Sequence, residues 1–248
     1  MSASESTRGG DAAGARGNVP RGLEDLSNLP PLRPPPPSAL LEAELAQLTP
    51  IRTRRPLRQL ALLVGISLIY GGGVFAMFAA RRDLHELPMG WLLGISAIWL
   101  LGFVVPVYLA MVPRPGAVIP RWRLAGIASV LGAIGFITLG LAVHPSSAGS
   151  AQPAWDQLAH GYNCFEIGLV TAIVPVVVGA IFLRGALPVG SRGVAAALGA
   201  GGGSMGGLML HLHCSVPDGI HVGLLHGGVV GIAALLAAAL VPRATKIR

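Results

Sequence analysis

Polar and apolar residues are segregated into long blocks along this chain. Beyond residue 58, apolar runs at Leu60–Ala80, Met89–Met111, Leu124–Val143, Ile167–Leu183, Gly193–Leu210 and Val222–Val241 alternate with short polar connections. Each run has the length, about 17–25 residues, that a helix needs to cross a hydrocarbon core of roughly 30 Å. Backbone amides cannot be left unpaired in lipid, so such spans must be helical. The pattern predicts an all-α polytopic membrane bundle of six transmembrane helices, occupying residues 59–243. The fourth and fifth runs are the shortest. The fifth differs in texture, carrying Gly199, Gly203 and Gly207 with Gly202 and Gly206 beside them, a repeated small-residue stripe that lets helix backbones approach closely. A phosphate-binding loop is excluded, since no Lys-Ser/Thr follows.

Residues 1–58 have another character. The first 37 are rich in Gly, Ser, Ala, Pro and Arg and end in Pro34–Pro37, a composition that buries too little apolar surface to offset the entropy of ordering. They are expected to form a disordered tail, in which Leu23, Leu26, Leu29 and Leu32 are either a linear binding motif or scattered linker residues. Ser38 can cap a short amphipathic helix over 38–48 that places Leu41, Leu45 and Leu48 on one face, and Pro50 stops it. A helix this short needs a surface, either a protein partner or the bilayer interface. Glu42 and Glu44 favour the protein, because anionic lipid repels them. No secretory signal opens the chain, so the first apolar run is expected to stay in the membrane.

Composition agrees with this pattern. Hydrophobic residues make up 52% and charged residues 12%, where a soluble domain carries roughly a quarter charged, and the mean hydropathy is +0.65. The net charge of +7 does not point to nucleic acid, because the basic residues flank apolar runs and show no interleaving with aromatics. They instead set orientation. Arg52, Arg54, Arg55 and Arg58 precede the first run, Arg114, Arg121 and Arg123 separate the second from the third, Arg184 and Arg192 the fourth from the fifth, and Arg243, Lys246 and Arg248 end the chain. The connections 144–166 and 211–221 contain no Lys or Arg. Both termini are therefore expected in the cytoplasm. Arg81 and Arg82 run against the rule, although Asp83 and Glu86 accompany them.

With that topology the polar chemistry is one-sided. Both cysteines, Cys164 and Cys214, and all the histidines (His85, His144, His160, His211, His213, His221, His226) fall on or near the outer face. Cys164 lies a few residues before the fourth run and Cys214 a few after the fifth, so an in-and-out hairpin returns both to the same height, within reach of a bridge if the helices are neighbours. An oxidising compartment permits a disulfide there. The competing reading is metal. His211, His213, Cys214 and His221, with Cys164 and His160 across the hairpin, form a soft N/S set suited to zinc, cadmium or copper(I). Their spacing matches no strong motif such as paired CxxC. A redox-active pair, metal-responsive thiols and inert interfacial residues all stay open, and most single histidines can be interfacial without any ligand.

The segment Asn163-Cys164-Phe165-Glu166-Ile167-Gly168, the run Leu210-His211-Leu212-His213-Cys214 after a Gly/Ala-rich fifth span, and His226-Gly227 in the sixth resemble the NrsF family of membrane anti-sigma factors, over roughly residues 50–248. The resemblance implies a bacterial inner-membrane regulator whose N-terminal cytoplasmic part holds an extracytoplasmic-function sigma factor. It also implies that Cys164 and Cys214 sense metal or oxidative stress. The long Pro-rich tail departs from the family pattern. No Asp, Glu, Lys or Arg lies mid-span, which demotes a proton-coupled carrier. No HExxH and no nucleophile-base constellation supports an enzyme. A small transporter or channel for a metal or small solute, entered through the His/Cys face, is the alternative function, and a structural subunit packed by its glycines is a third. No resident cofactor is expected beyond a thiophilic metal ion acting as signal.

Overall fold

The computed structural model describes residues 42, 46, 55–78, 80–113, 116, 118–142, 161–184, 191–216 and 218–245. The chain divides into two units, Met1–Thr53 and Arg54–Arg248. In the first, only Glu42 and Ala46 are described, both helical and exposed. Leu41, Leu45 and Leu48 of the expected amphipathic helix lie outside the described residues.

Among the described residues the second unit is all-helical. Its elements are α1 (Pro56–Met77), α2 (Met89–Met111), α3 (Arg121–Ala142), α4 (Tyr162–Leu183), α5 (Ser191–His213) and α6 (Gly227–Ala244), with a π-helical turn, His221–His226, leading into α6. Six helical stretches are long and apolar enough to cross a membrane. Pro56 stands in the first turn of α1, where its missing N–H costs nothing.

One helix is the axis. Helix α5 touches each of the other five, and 89% of the residues in its apolar stretch are buried, against 17–44% elsewhere. It is also the least apolar of the six by composition, because Gly and Ala replace the branched side chains that the others turn outward. The outer helices expose large aliphatic residues such as Ile69, Leu131, Ile181 and Leu235, the surface that a bilayer would cover. The glycines of α5 decide the packing. A Cβ at Gly203 would lie 2.6 Å from the Val230 Cα of α6 and one at Gly202 would lie 2.9 Å from the Ala172 oxygen of α4, so any side chain there would push backbones apart. Larger groups fill the remaining space: Trp99 of α2 and Phe136 of α3 stack with centroids 4.0 Å apart over Gly207 and Gly102. Three interior hydroxyls bond back to their own helices, Ser129 to the Ala125 carbonyl, Thr171 to Ile167 and Ser204 to Ala200, and so enter the core with their donors paired, whereas the Ser67 hydroxyl of α1 is buried without a partner.

Candidate metal and thiol centre

Three chain segments meet at one end of the bundle. Helix α4 begins at Tyr162, which places Cys164 within its first turn rather than ahead of the span, because the helix continues through the polar Asn163 and Glu166 that an apolar pattern leaves out. Helix α5 ends at His213, and the next residue, Cys214, is held by its N–H on the Leu210 carbonyl at 2.8 Å. The chain then turns, and Asp218 caps the helical segment that opens at Gly219 and runs into the π turn: its Oδ1 accepts the His221 N–H at 3.0 Å and its carbonyl accepts the Val222 N–H. A side-chain acceptor three residues ahead of the donor is the usual N-cap arrangement.

The π turn completes the site. On an α-helix, residues five apart point about 140° away from one another. In a π turn, hydrogen bonds run between residues five apart and bring them onto one side. His221 and His226 stand at this spacing, with ring centroids 5.2 Å apart. The Cys164 and Cys214 sulfurs are 3.7 Å apart, and Cys214 Sγ lies 3.3 Å from His221 Nε2. One ligand atom from each of Cys164, Cys214, His221 and His226 falls within 4.8 Å of all the others. Cys214, His221 and His226 are buried and Cys164 is half-buried. His226 Nε2 is buried without a hydrogen-bond partner, an arrangement that costs free energy unless something else satisfies it.

These distances can be set beside those of the two chemistries. Two sulfurs each about 2.3 Å from a tetrahedral ion are about 3.8 Å apart, and a sulfur and an imidazole nitrogen about 3.6 Å; a disulfide requires about 2.05 Å. The S···S distance of 3.7 Å and the Cys214–His221 distance of 3.3 Å are close to those of a four-coordinate site, the whole group lies within 4.8 Å, and a disulfide requires the sulfurs to approach by more than 1 Å. Of the expected residues, the structure brings Cys164, Cys214 and His221 together and adds His226. It places His211 and His213 outside this group. The His211 ring stands 5.0 Å from Trp91, with Nε2 3.4 Å from the Leu92 carbonyl, and His213 packs edge-on against Phe78 at 5.5 Å. His160 lies outside the described residues.

The connection between α1 and α2 docks on the same end. Arg81 is 5% exposed. Its Nε and Nη2 bond the two Asp83 carboxylate oxygens at 2.7 and 2.8 Å, Nη1 donates to the His211 carbonyl at 3.2 Å, and its backbone N–H donates to the Leu212 carbonyl at 3.1 Å. The side-chain bond from Arg81 holds the Asp83 carboxyl below its ordinary value of 3.8, outweighing the opposite effect of partial burial. Arg81 thus has a local reason to stand where the charge pattern alone would not put it.

No curated protein and no solved structure matches this chain. The model of one family, described as negative regulator of sigma F, matches residues 45–246, a stretch that includes all six helices, the π turn and both cysteines. The chain therefore belongs to the NrsF family of negative regulators of a sigma factor.

Proposed function

We propose that this protein is an anti-sigma factor of the bacterial inner membrane, with both termini in the cytoplasm. It sequesters an extracytoplasmic-function sigma factor through residues 1–58 and senses metal or oxidative stress through Cys164 and Cys214 on the opposite face. The family supports the regulatory half, and the basic residues flanking one set of helix ends support the orientation. The observation that carries the sensing half is the convergence of Cys164, Cys214, His221 and His226 within 4.8 Å. The donor set suits zinc, cadmium or copper(I), each of which can take four N/S ligands. Oxidation is the second chemistry open to the same pair. A peroxide takes two electrons and two protons from the thiols and is reduced to water as the S–S bond forms.

A stimulus at this end must favour one bundle state over another, and about 1.4 kcal/mol of coupling changes partner affinity tenfold. Release of the sigma factor then switches on a stress response. Transport of a metal or small solute has less support, because the glycines of α5 bring backbones together along the bundle axis. Metal flux in reconstituted vesicles would reinstate it.

The test is capture of the sigma factor by the full-length protein, with and without cadmium or peroxide. Capture should fall on treatment of the wild type and be unresponsive in Cys164→Ser and in Cys214→Ser, with the double variant no worse than either, since removing one half disables the pair. Leu41→Asp with Leu45→Asp should weaken capture while leaving membrane insertion intact. Independent or silent cysteine variants would remove the sensing role, and unchanged capture by the leucine variant would move the partner site out of residues 38–48.

A further inference from the structure

The last carbonyls of a helix have no partner within it and carry the negative end of its dipole. In α5 these groups lie directly before Cys214. Leu210 O is taken by the Cys214 N–H, and His211 O and Leu212 O are both taken by Arg81, one through its guanidinium and one through its backbone. Asp83 fixes the rest of the guanidinium fork. Arg81 also shares with Cys214, His211 and His226 the wall of a cavity of about 30 Å³ beside the centre, so it stands next to the site as well as behind it. Cys214 itself lies past the helix end, tied to α5 by a single backbone bond.

We propose that Arg81 is a positioning residue for the thiol pair, clamping the two carbonyls that precede Cys214 and thereby setting the distance at which Cys214 meets Cys164. The inference rests on the pair being the reactive site. A reaction that engages both sulfurs at once depends steeply on their separation, and a misplacement near 1 Å can reduce such a rate by about 10²-fold. A reaction with one sulfur at a time has no such dependence. Loss of the guanidinium bond to the His211 carbonyl, the half of the clamp that a side-chain substitution removes, should therefore separate the two kinds of reaction.

The experiment uses the full-length protein in detergent and two reagents. Phenylarsine oxide bridges two thiols by forming two As–S bonds, its oxygen leaving as water with both thiol protons and no change of oxidation state. N-Ethylmaleimide alkylates each thiol singly. Relative to alkylation, bridging should slow by about tenfold or more in Arg81→Gln, while Arg82→Gln, which removes the exposed neighbouring charge and none of these bonds, should stay within about threefold of wild type. Arg81→Lys keeps the buried charge without the fork; it should fall between them and serves, with the same outcomes, if Arg81→Gln is not recovered folded. A wild-type ratio of bridging to alkylation in the Arg81 variants, or a loss shared equally by both reactions, overturns the positioning role. If the wild type itself forms no bridge, the thiol pair falls as a site, and the role of Arg81 with it.

Discussion

At the residue scale, the centre depends on His226, whose buried Nε2 has no hydrogen-bond partner. If it is the fourth ligand, His226→Ala should weaken cadmium or zinc binding by at least the roughly 10–100-fold that even an outlying supporting group is worth, as measured by competition with a chelating dye. His213→Ala, against Phe78 and outside the group, should leave affinity within about twofold. The nearness of the two cysteines was legible in the sequence, because a hairpin of two spans returns its ends to one height. His226 was not, since at ordinary helical periodicity it points away from His221. The visible signal, two histidines five residues apart amid Gly223, Gly227 and Gly228, acquires meaning only once the turn is known to be π. Asp83 gives a pH test. Its carboxyl is depressed by Arg81 against the opposing effect of partial burial, so the ion pair contributes fully above pH 3.8 and its contribution is lost as pH falls through the lowered folded value. The thermal stability difference between wild type and Asp83→Asn should accordingly be constant from about pH 5 upward and shrink only in stronger acid. A difference that grows on acidification would contradict that pairing.

Among the elements, α2 was the most legible, its apolar run Met89–Met111 coinciding with the helix, and the π turn the least. The stripe of Gly199, Gly203 and Gly207 announces close helix packing whatever lies opposite, but which helix meets which face is a property of the assembled bundle. Packing at this axis should be intolerant in a position-specific way. A Cβ at Gly203 meets the Val230 backbone, whereas one at Gly72 in α1 meets nothing within 4 Å. Gly203→Ala should destabilise by about 1–3 kcal/mol, and Gly72→Ala should be neutral or stabilise by up to about 1 kcal/mol through helix propensity. Denaturant unfolding of the detergent-solubilised protein would check both, and equal effects at the two positions would contradict the central placement of α5. The start of α4 at Tyr162 shows why span ends were hard to place: apolarity marks what lipid covers, while hydrogen bonding carries the helix on through Asn163 and Glu166.

For the whole molecule, the proposed orientation is tested by reporters fused after Ser150 and after Arg248, expected outside and inside respectively; the reverse at either site would overturn that topology. The burial of α5 carries a further consequence, for how the protein is made. A span inserts on its own by the free energy of moving apolar side chains into lipid, and one made of glycine and alanine has little of it. Helix α5 is the least apolar of the six, and its largest contact is with α6, a helix synthesised after it. During translation α5 is therefore expected to be held beside α4, or within the insertion machinery, until α6 emerges to enclose it. A chain cut after His213 should lose α5 from the membrane in a share of molecules, detectable as a carboxy-terminal tag on both sides of the bilayer, whereas the complete chain should show one side only. The centre would then form last, because its two histidines arrive with the segment that locks α5 in place.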